Sequence, residues 1–266
     1  MTPEKTTVSV IVPCYNDGIY LEEAVKSVLA STYPNVEAVI VNDGSTDNTN
    51  EIGKKLQQQF SNVKYIEKKN EGLPKARNMG IAEAKGDLIL PLDADDKISK
   101  DYISEAVHLF EQDRNNQLKL VYCNAQFFGK KQGEWKLKDF SLKKIAKDNM
   151  IFCSAVYRKE DWAKIGGYSP EMLGGWEDWE FWISMLKNGG DVVRLPITGF
   201  FYRIKENSMR KGMTKKLKSE KINFLNKRHR DFFQKQLNGP LRKSRSLSKP
   251  VNNIAKILGA RKSFFL

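Results

Sequence analysis

Hydrophobic and polar positions along the first half of the chain predict strands that alternate with helices. Residues 8–16 are rich in β-branched side chains, and residues 20–31 carry apolar side chains at helical spacing. The same order of strand and helix recurs up to a predicted strand at residues 118–124. Repeated units of this length predict an α/β fold with a doubly wound, mostly parallel sheet and helices on both faces.

The pattern changes after residue 124. Residues 125–150 are mixed and basic, and they predict an insertion or flap. Short strand and helix signals then return, so residues 125–210 are expected to complete the same domain. Residues 211–266 predict a basic helical C-terminal extension, because Lys and Arg alternate there with Phe, Leu and Ile.

Charge is distributed unevenly between the body and this extension. The chain of 266 residues has a formal net charge of +13, and residues 201–266 hold 19 Lys/Arg against 3 Asp/Glu. Such an excess of cations favours a polyanionic partner, either an anionic membrane surface or nucleic acid. The alternative is a solvated basic extension without a partner.

The absence of targeting signals and the cysteine usage predict a cytoplasmic protein. The basic extension suggests that this protein could also attach peripherally to the inner face of the membrane. The chain has no apolar run of 18 residues, and its first residues lack the pattern of a signal peptide. Cys14, Cys123 and Cys153 are widely spaced in apolar contexts, which predicts buried free thiols in a reducing compartment.

Carboxylates follow the predicted strands of the first half. Asp43 ends one strand, and Asp93, Asp95 and Asp96 follow another. Parallel strands end at one edge of a sheet, where α/β proteins bind ligands. Carboxylates at that edge suit Mg²⁺ or Mn²⁺ held together with the phosphates of a ligand. Asp96 is expected to cap the helix predicted at 99–112.

A second acidic group lies at residues 174–182, which read GGWEDWEFW. Large aromatic side chains around carboxylates can form a wall on which a sugar stacks. They can also desolvate a carboxylate and raise its pKa, which suits a general base. The alternative is an amphipathic helix whose aromatic face lies in the core.

Five stretches in order make the chain resemble the family 2 glycosyltransferases of the GT-A fold: SVIVPCYND, VIVNDGSTDNT, NEGLPKARNMGI, LPLDADD and GGWEDWEFW. The resemblance covers about residues 6–210. It implies an inverting transfer of sugar from a nucleotide-diphosphate donor, usually a UDP-sugar, to a hydroxyl of a saccharide or lipid-linked saccharide. Residues 1–124 would then bind the nucleotide-sugar, and 125–210 would carry the acceptor site and the catalytic base.

The resemblance assigns the donor side of the site to residues of the first half. Pro13, Tyr15 and Asp43 would line the nucleobase pocket. Arg77 would reach the base or the diphosphate. Asp93 would hold the ribose or the metal, and Asp95 would be the firmer ligand of Mn²⁺ or Mg²⁺.

The acceptor side is assigned to the second half. Asp178 would be the general base, and Trp176, Glu177 and Trp179 would form an acceptor or sugar wall. Many relatives have a histidine shortly after the late strand that ends in YR, but this chain has none there. Arg203, Lys205 and Ser208 are therefore expected to contact the diphosphate.

Two other functions compete with this one. A sugar-phosphate nucleotidyltransferase would share the acidic sheet edge, but it normally has a glycine-rich basic loop after its first strand. Here that loop reads PCYNDGIYLEE, which is acidic. A nucleic-acid-binding protein would use the basic extension, although the body of residues 1–200 is near neutral, with 26 Lys/Arg and 29 Asp/Glu.

Overall fold

A computed structural model describes residues 6–206 and 213–257. The strands are β1 Val8–Cys14, β2 Val36–Asp43, β3 Val63–Lys68, β4 Leu88–Pro91, β5 Lys97–Ile98, β6 Leu118–Gly129, β7 Gly133–Trp135, β8 Tyr157–Arg158 and β9 Asp191–Ile204. The helices are α1 Gly18–Leu29, α2 Thr49–Gln59, α3 Leu73–Glu83, α4 Tyr102–Gln112, α5 Leu142–Ile145, α6 Lys159–Ile165, α7 Glu177–Leu186, α8 Lys215–Arg228, α9 Arg230–Leu237 and α10 Ser248–Ile257.

The main sheet has the order β3-β2-β1-β4-β8. Its first four strands are parallel and β8 is antiparallel. Every residue of β1 and β4 is buried, as continuous apolar strands between two helical layers must be. The α/β fold with a mostly parallel sheet and helices on both faces is confirmed.

A second sheet of four strands, in the order β5-β9-β6-β7, lies beside the first. It pairs β6 with β9 in parallel, and a single bridge between Val121 and Val156 joins it to the β8 region. The predicted strand at 118–124 is therefore too short, because β6 continues to Gly129 and turns back into β7. The segment predicted as a flap thus begins inside a strand.

Helices α8 and α9 pack on the body through an apolar side. Ile222, Leu225, Phe233 and Leu237 are all at most 5% exposed. Thr214 accepts a hydrogen bond from the Leu217 backbone N–H and so caps the start of α8. The predicted extension at 211–266 is described only over 213–257; its other residues lie outside the described part of the chain.

No helix within 6–206 or 213–257 is both long enough and apolar enough to cross a bilayer. All three cysteines are free, and Cys14 and Cys123 are buried as predicted, whereas Cys153 is only partly buried. Cys153 lies at the edge of the site described next, where its thiol is 3.5 Å from a carboxylate oxygen of Asp93.

Candidate active site

Parallel strands bring the predicted donor residues to one edge of the main sheet. β1 ends at Cys14, β2 at Asp43 and β4 at Pro91. The loops that follow are tied together, because the Asn16 N–H donates to Ser45 Oγ at 3.0 Å and the Gly18 N–H donates to Asp47 at 2.9 Å. These hydrogen bonds fix the loops at this edge of the sheet, which is where open α/β sheets bind their ligands. We call the loops that follow β1, β2 and β4 the rim.

Asp43 is a buried anchor of the rim. Its carboxylate accepts hydrogen bonds from Lys68 Nζ at 2.7 Å and from the backbone N–H groups of Glu71 and Gly72 at 3.1 and 2.8 Å. Near it, Pro13 is buried within β1, while Tyr15 follows the strand and is 51% exposed. Tyr15 is thus the member of the predicted nucleobase pocket with a face open to a ligand.

Arg77 joins the two acidic stretches of the sequence. Its guanidinium is 1% exposed and donates to Asp93 Oδ1 at 2.7 Å and to Glu177 Oε1 at 2.7 Å. The fork geometry of a guanidinium suits two carboxylates held at once. Arg77 therefore fixes the position of Asp93 relative to the start of α7, and its buried head lies between carboxylates rather than at the open rim.

Asp95 is paired with a cation from the other end of the chain. Lys205 Nζ lies 2.7 Å from Asp95 Oδ2 and 2.7 Å from Asp17 Oδ1. The ammonium therefore bridges the loop after β1, the loop after β4 and the end of β9. Burial and the charge of Asp93 raise the pKa of Asp95, and the contact with Lys205 opposes that shift.

The prediction that Asp96 caps the following helix is wrong. Helix α4 begins only at Tyr102, and its first flanking residue is Asp101. Asp96 is 1% exposed, and its Oδ1 accepts from the Arg203 backbone N–H at 2.8 Å. Burial, and after it the charges of Asp95 and Asp93, raise the pKa of Asp96 well above its ordinary value. Its Oδ2 is buried and has no hydrogen-bond partner among the described residues.

Arg203 contacts the turn that carries Asp95 and Asp96. Its Nε donates to the Asp95 carbonyl at 2.7 Å, and its NH2 group pairs with Glu23. The guanidinium lies between the rings of Tyr20 and Phe128, at 4.4 and 4.2 Å from their centroids. Arg203 was expected to contact the diphosphate; here it holds the backbone that presents Asp95. Ser208 lies outside the described residues.

A strained turn sets the start of α7. Gly174, Gly175 and Trp176 have φ values of 89°, 123° and 66°. Two glycines adopt this left-handed region without cost, but Trp176 does so at the expense of backbone strain. Glu177 and Asp178 therefore begin the helix at a sharply defined angle, next to the orphan N–H groups of its first turn.

Asp178 has the surroundings that a general base requires. Its Oδ2 accepts from Asn149 Nδ2 at 2.9 Å, and its Oδ1 accepts from the Trp179 N–H at 2.7 Å. Burial and the adjacent charge of Glu177 raise the pKa of Asp178 to about 7, although Arg77 opposes the shift. A carboxylate tuned to neutral pH can take up a proton and give it back.

The predicted sugar wall divides into exposed and buried members. Trp179 is fully buried, and its indole N–H donates to the Ile145 carbonyl at 2.7 Å. Trp176 is only partly buried, and the Arg245 guanidinium lies 5.1 Å from its ring centroid. Glu177 is 7% exposed and is held by Arg77. Of these three residues, Trp176 is thus the one that is not buried.

Glu180 connects α7 to the C-terminal helices through a hydrogen bond and an ion pair. It is 0% exposed and accepts from Ser169, Ser184 and His229 at 2.7, 2.8 and 2.8 Å, while Arg228 lies 2.9 Å away. The sequence places Glu180 in the second acidic group with Glu177 and Asp178 but gives it no role in the site.

The chemistry of the rim fits a hard divalent cation shared with a ligand. The described residues contain no group of three or more His, Cys, Asp or Glu side chains that could hold a metal alone. Mg²⁺ and Mn²⁺ commonly need only one or two protein carboxylates when phosphate oxygens supply other ligands. Asp95 and Asp17 offer such oxygens, and they already hold the Lys205 ammonium between them.

Comparison with known sequences places the chain in a family. Residues 9–165 match glycosyl transferase family 2, and residues 141–207 match the N-terminal domain of galactosyltransferase. The first match covers more than half of the chain. This protein therefore belongs to glycosyl transferase family 2.

Individual relatives match parts of the chain. Glycosyltransferase GlyG of Streptococcus pneumoniae is 35% identical over 144 residues, which are 52% of this chain and 47% of the relative. Glycosyltransferase GlyA of the same organism is 29% identical over 232 residues, 79% of this chain and 32% of the relative. The chain thus matches between a third and a half of the length of these relatives.

Solved structures share the fold at low sequence identity. S. aureus TarS 1-349 in complex with UDP-GlcNAc has a TM-score of 0.72 and 20% identity, covering 93% of this chain and 71% of that one. The mannosyltransferase PcManGT from Pyrobaculum calidifontis, in complex with GDP-Man and Mn²⁺, has a TM-score of 0.67 and 17% identity, covering 98% and 77%. The likeness establishes the GT-A fold.

Proposed function

We propose that this protein is an inverting glycosyltransferase that moves a sugar from a nucleotide-diphosphate donor, most simply a UDP-sugar, to an acceptor hydroxyl. The observation that carries the proposal is the Arg77 fork, which pairs with Asp93 and Glu177 at 2.7 Å each. The buried Arg77 guanidinium thereby fixes the position of Asp93, at the acidic edge of the main sheet, relative to Glu177, which is the residue next to Asp178. The family match and the nucleotide-sugar complexes of the structural neighbours support the same activity.

The reaction needs three contributions from the chain. Tyr15 and the rim anchored by Asp43 bind the nucleotide, while Asp93 and Asp95 face its ribose and diphosphate. Mn²⁺ or Mg²⁺, bound at Asp95 with the donor, would supply positive charge that stabilises the departing diphosphate. Lys205 adds a second positive charge at the same place.

Asp178 completes the reaction as the base. It accepts the proton of the acceptor hydroxyl as the hydroxyl oxygen bonds to C1 of the donor sugar. The bond from C1 to the diphosphate oxygen breaks at the opposite face, and the electron pair leaves with the nucleoside diphosphate. A single displacement of this kind inverts the configuration at C1. Trp176 provides the partly open ring against which the acceptor sugar stacks.

Relatives suggest the setting of the reaction. One of them is the minor teichoic acid biosynthesis protein GgaB of Bacillus subtilis, 34% identical over 134 residues. By that likeness, the acceptor belongs to a bacterial surface polysaccharide or glycolipid.

A panel of nucleotide-sugars tests the proposal. The protein is incubated with each donor in the presence of Mn²⁺ or Mg²⁺, and both thermal stabilisation and release of nucleoside diphosphate are measured. A donor at 100 times its Kd should stabilise the fold by about 2.7 kcal/mol. Release of pyrophosphate from a nucleoside triphosphate and a sugar phosphate, with no release of nucleoside diphosphate, would instead indicate a nucleotidyltransferase.

A further inference from the structure

Helix α10 exposes its large apolar side chains to solvent. Leu247, just before the helix, and Val251, Ile254 and Ile257 within it are 53%, 36%, 57% and 83% exposed. Their spacing of three and four residues places them along one side of the helix. Four neighbouring apolar side chains in one row differ from the scattered single ones that are normal on a protein surface.

The side of α10 that packs on the protein is polar instead. Ser248 and Asn252 are 0% and 3% exposed. Asn252 Nδ2 donates to the carbonyls of Leu237 and Pro240 at 3.1 and 2.9 Å, and its Oδ1 accepts from Arg242 Nε at 2.8 Å. A surface helix normally buries its apolar stripe and exposes its polar one. Packing among residues 6–206 and 213–257 therefore does not account for the apolar row.

The segment that carries the row is strongly basic. Residues 213–257 contain 13 Lys/Arg and 2 Asp/Glu. Lys249 and Lys256 lie on α10 itself, and the exposed Lys243 precedes it. An apolar stripe on a strongly basic segment complements a lipid bilayer with anionic headgroups, because the bilayer takes up the stripe and its surface potential attracts the cations. A nucleic acid would satisfy the cations but leave the apolar row in water.

We propose that α10 is an interfacial anchor that lies in the surface of an anionic lipid bilayer. Leu247, Val251, Ile254 and Ile257 enter the boundary between headgroups and acyl chains, and the negative potential of the bilayer surface attracts the cations of the segment. The helix needs no membrane-spanning length for this role, because an amphipathic helix binds parallel to the surface.

The anchor lies close in sequence to the acceptor side of the site. α10 begins three residues after Arg245, whose guanidinium stacks on Trp176 and donates to Asp148 at 2.8 Å. If the proposed glycosyl transfer holds, docking of α10 presents the site to acceptors at the bilayer surface, which favours a lipid-linked saccharide. The membrane contact itself does not depend on that activity.

Vesicle binding by the full chain without substrates tests the anchor. Binding is compared between vesicles of phosphatidylcholine alone and vesicles of phosphatidylcholine and phosphatidylglycerol in a three-to-one ratio. The first variant combines Val251→Glu with Ile254→Glu, and the second combines Lys249→Gln with Lys256→Gln. Ile19→Glu is the matched control, because Ile19 is a lone apolar residue that is 72% exposed. Circular dichroism checks that each variant is folded.

We expect the wild type to bind the anionic vesicles, and to bind less as salt is raised. The glutamate pair should weaken binding by about tenfold or more, and each lysine removed should weaken it about fivefold; Ile19→Glu should bind like the wild type. Failure of the wild type to bind, or equal binding by the glutamate pair, overturns the proposal. The proposal is also overturned if the wild type does not bind vesicles but forms a dimer in solution, and the variant with Val251→Glu and Ile254→Glu is monomeric.

Discussion

Lys205 Nζ and Asp95 Oδ2 form an ion pair of 2.7 Å at the rim of the sheet, and the same ammonium lies 2.7 Å from Asp17. Asp95 is also the carboxylate that we assign to the metal of the donor. In the proposed function, two cations therefore compete for one carboxylate. Loading the donor requires Lys205 to leave Asp95 and to pair with the diphosphate.

Replacement of Lys205 by Met should change two affinities in opposite directions. Asp17 and Asp95 lose their resident cation, so Mn²⁺ alone should bind about tenfold more tightly than to the wild type. The diphosphate loses a partner, so UDP or GDP without metal should bind about tenfold more weakly. Calorimetry with each probe separately measures both effects.

Lys119→Met is the matched control for this variant. Lys119 pairs with Asp161 at 3.1 Å and has a similar exposure of 23%, against 21% for Lys205. The control should leave both affinities unchanged, and Lys205→Arg, which keeps the charge, should keep Mn²⁺ binding weak. If Lys205→Met weakens both ligands, Lys205 has a structural role only and the competition is wrong.

Replacement of Arg77 by Lys should damage the site and the fold together. A lysine cannot span Asp93 and Glu177 as a guanidinium does, so one buried carboxylate loses its partner. We expect a loss of about 3 kcal/mol in the free energy of unfolding, measured by urea denaturation, and a fall in turnover of about 100-fold as Asp93 moves.

Arg158→Lys separates these two effects. Arg158 forks between Asp113 and the Leu118 carbonyl, at 2.9 and 2.5 Å, outside the site. The Arg158→Lys variant should have a lower free energy of unfolding than the wild type but should keep its donor affinity and most of its turnover. Equal turnover losses in Arg77→Lys and Arg158→Lys would show that Arg77 acts only through stability.

Activity should depend on pH through Asp178. Its pKa of about 7 means that the base is protonated and inactive below neutrality. We therefore expect kcat/KM to fall about tenfold per pH unit below pH 7 and to level off above it. Because Glu177 contributes to the raised pKa, Glu177→Gln should move the falling limb to lower pH. A profile that is flat from pH 5.5 to 8 would contradict the assignment.

Stability should depend on pH through His229. Burial lowers the pKa of this histidine despite the adjacent Glu180. Below about pH 6.5 this histidine binds a proton in the unfolded chain, whereas in the folded protein it stays neutral until the pH reaches its lower folded pKa. The free energy of unfolding therefore falls as the pH drops from about 6.5 towards the folded pKa. The slope is at most about 1.4 kcal/mol per pH unit. His229→Gln should flatten this slope in denaturation curves between pH 7.5 and 5.5, whereas the exposed His108→Gln should preserve it.

Local pattern predicted the first sheet and its acidic edge. β1, β2 and β4 are short, apolar and bounded by turn residues, so their positions follow from periodicity, and the parallel topology brings Asp43 and Asp93 to one edge. The second sheet was harder to predict, because β6 and β9 pair across about 70 residues and each carries irregular register. Residues 118–124 alone do not show where β6 ends.

Contacts between distant residues decided the details of the site. Arg77 meets Glu177 from 100 positions away, and Lys205 meets Asp17 from 188 positions away. No local rule predicts such pairs. The assignment of Asp96 to a helix cap was wrong for a related reason, since its partner is the backbone of Arg203, 107 residues further along the chain.

The most direct test of glycosyl transfer by this site is the replacement of Asp178 by Asn. Asn keeps the size of the side chain and can still bond to Asn149, but it cannot take a proton. Turnover, measured as release of nucleoside diphosphate with the donor and acceptor that the wild type uses best, should fall about 100- to 10,000-fold, while the donor Kd stays within about threefold. Asp139→Asn, at an exposed residue whose carboxylate pairs with Arg194, should behave like the wild type. Full turnover by Asp178→Asn would contradict the account.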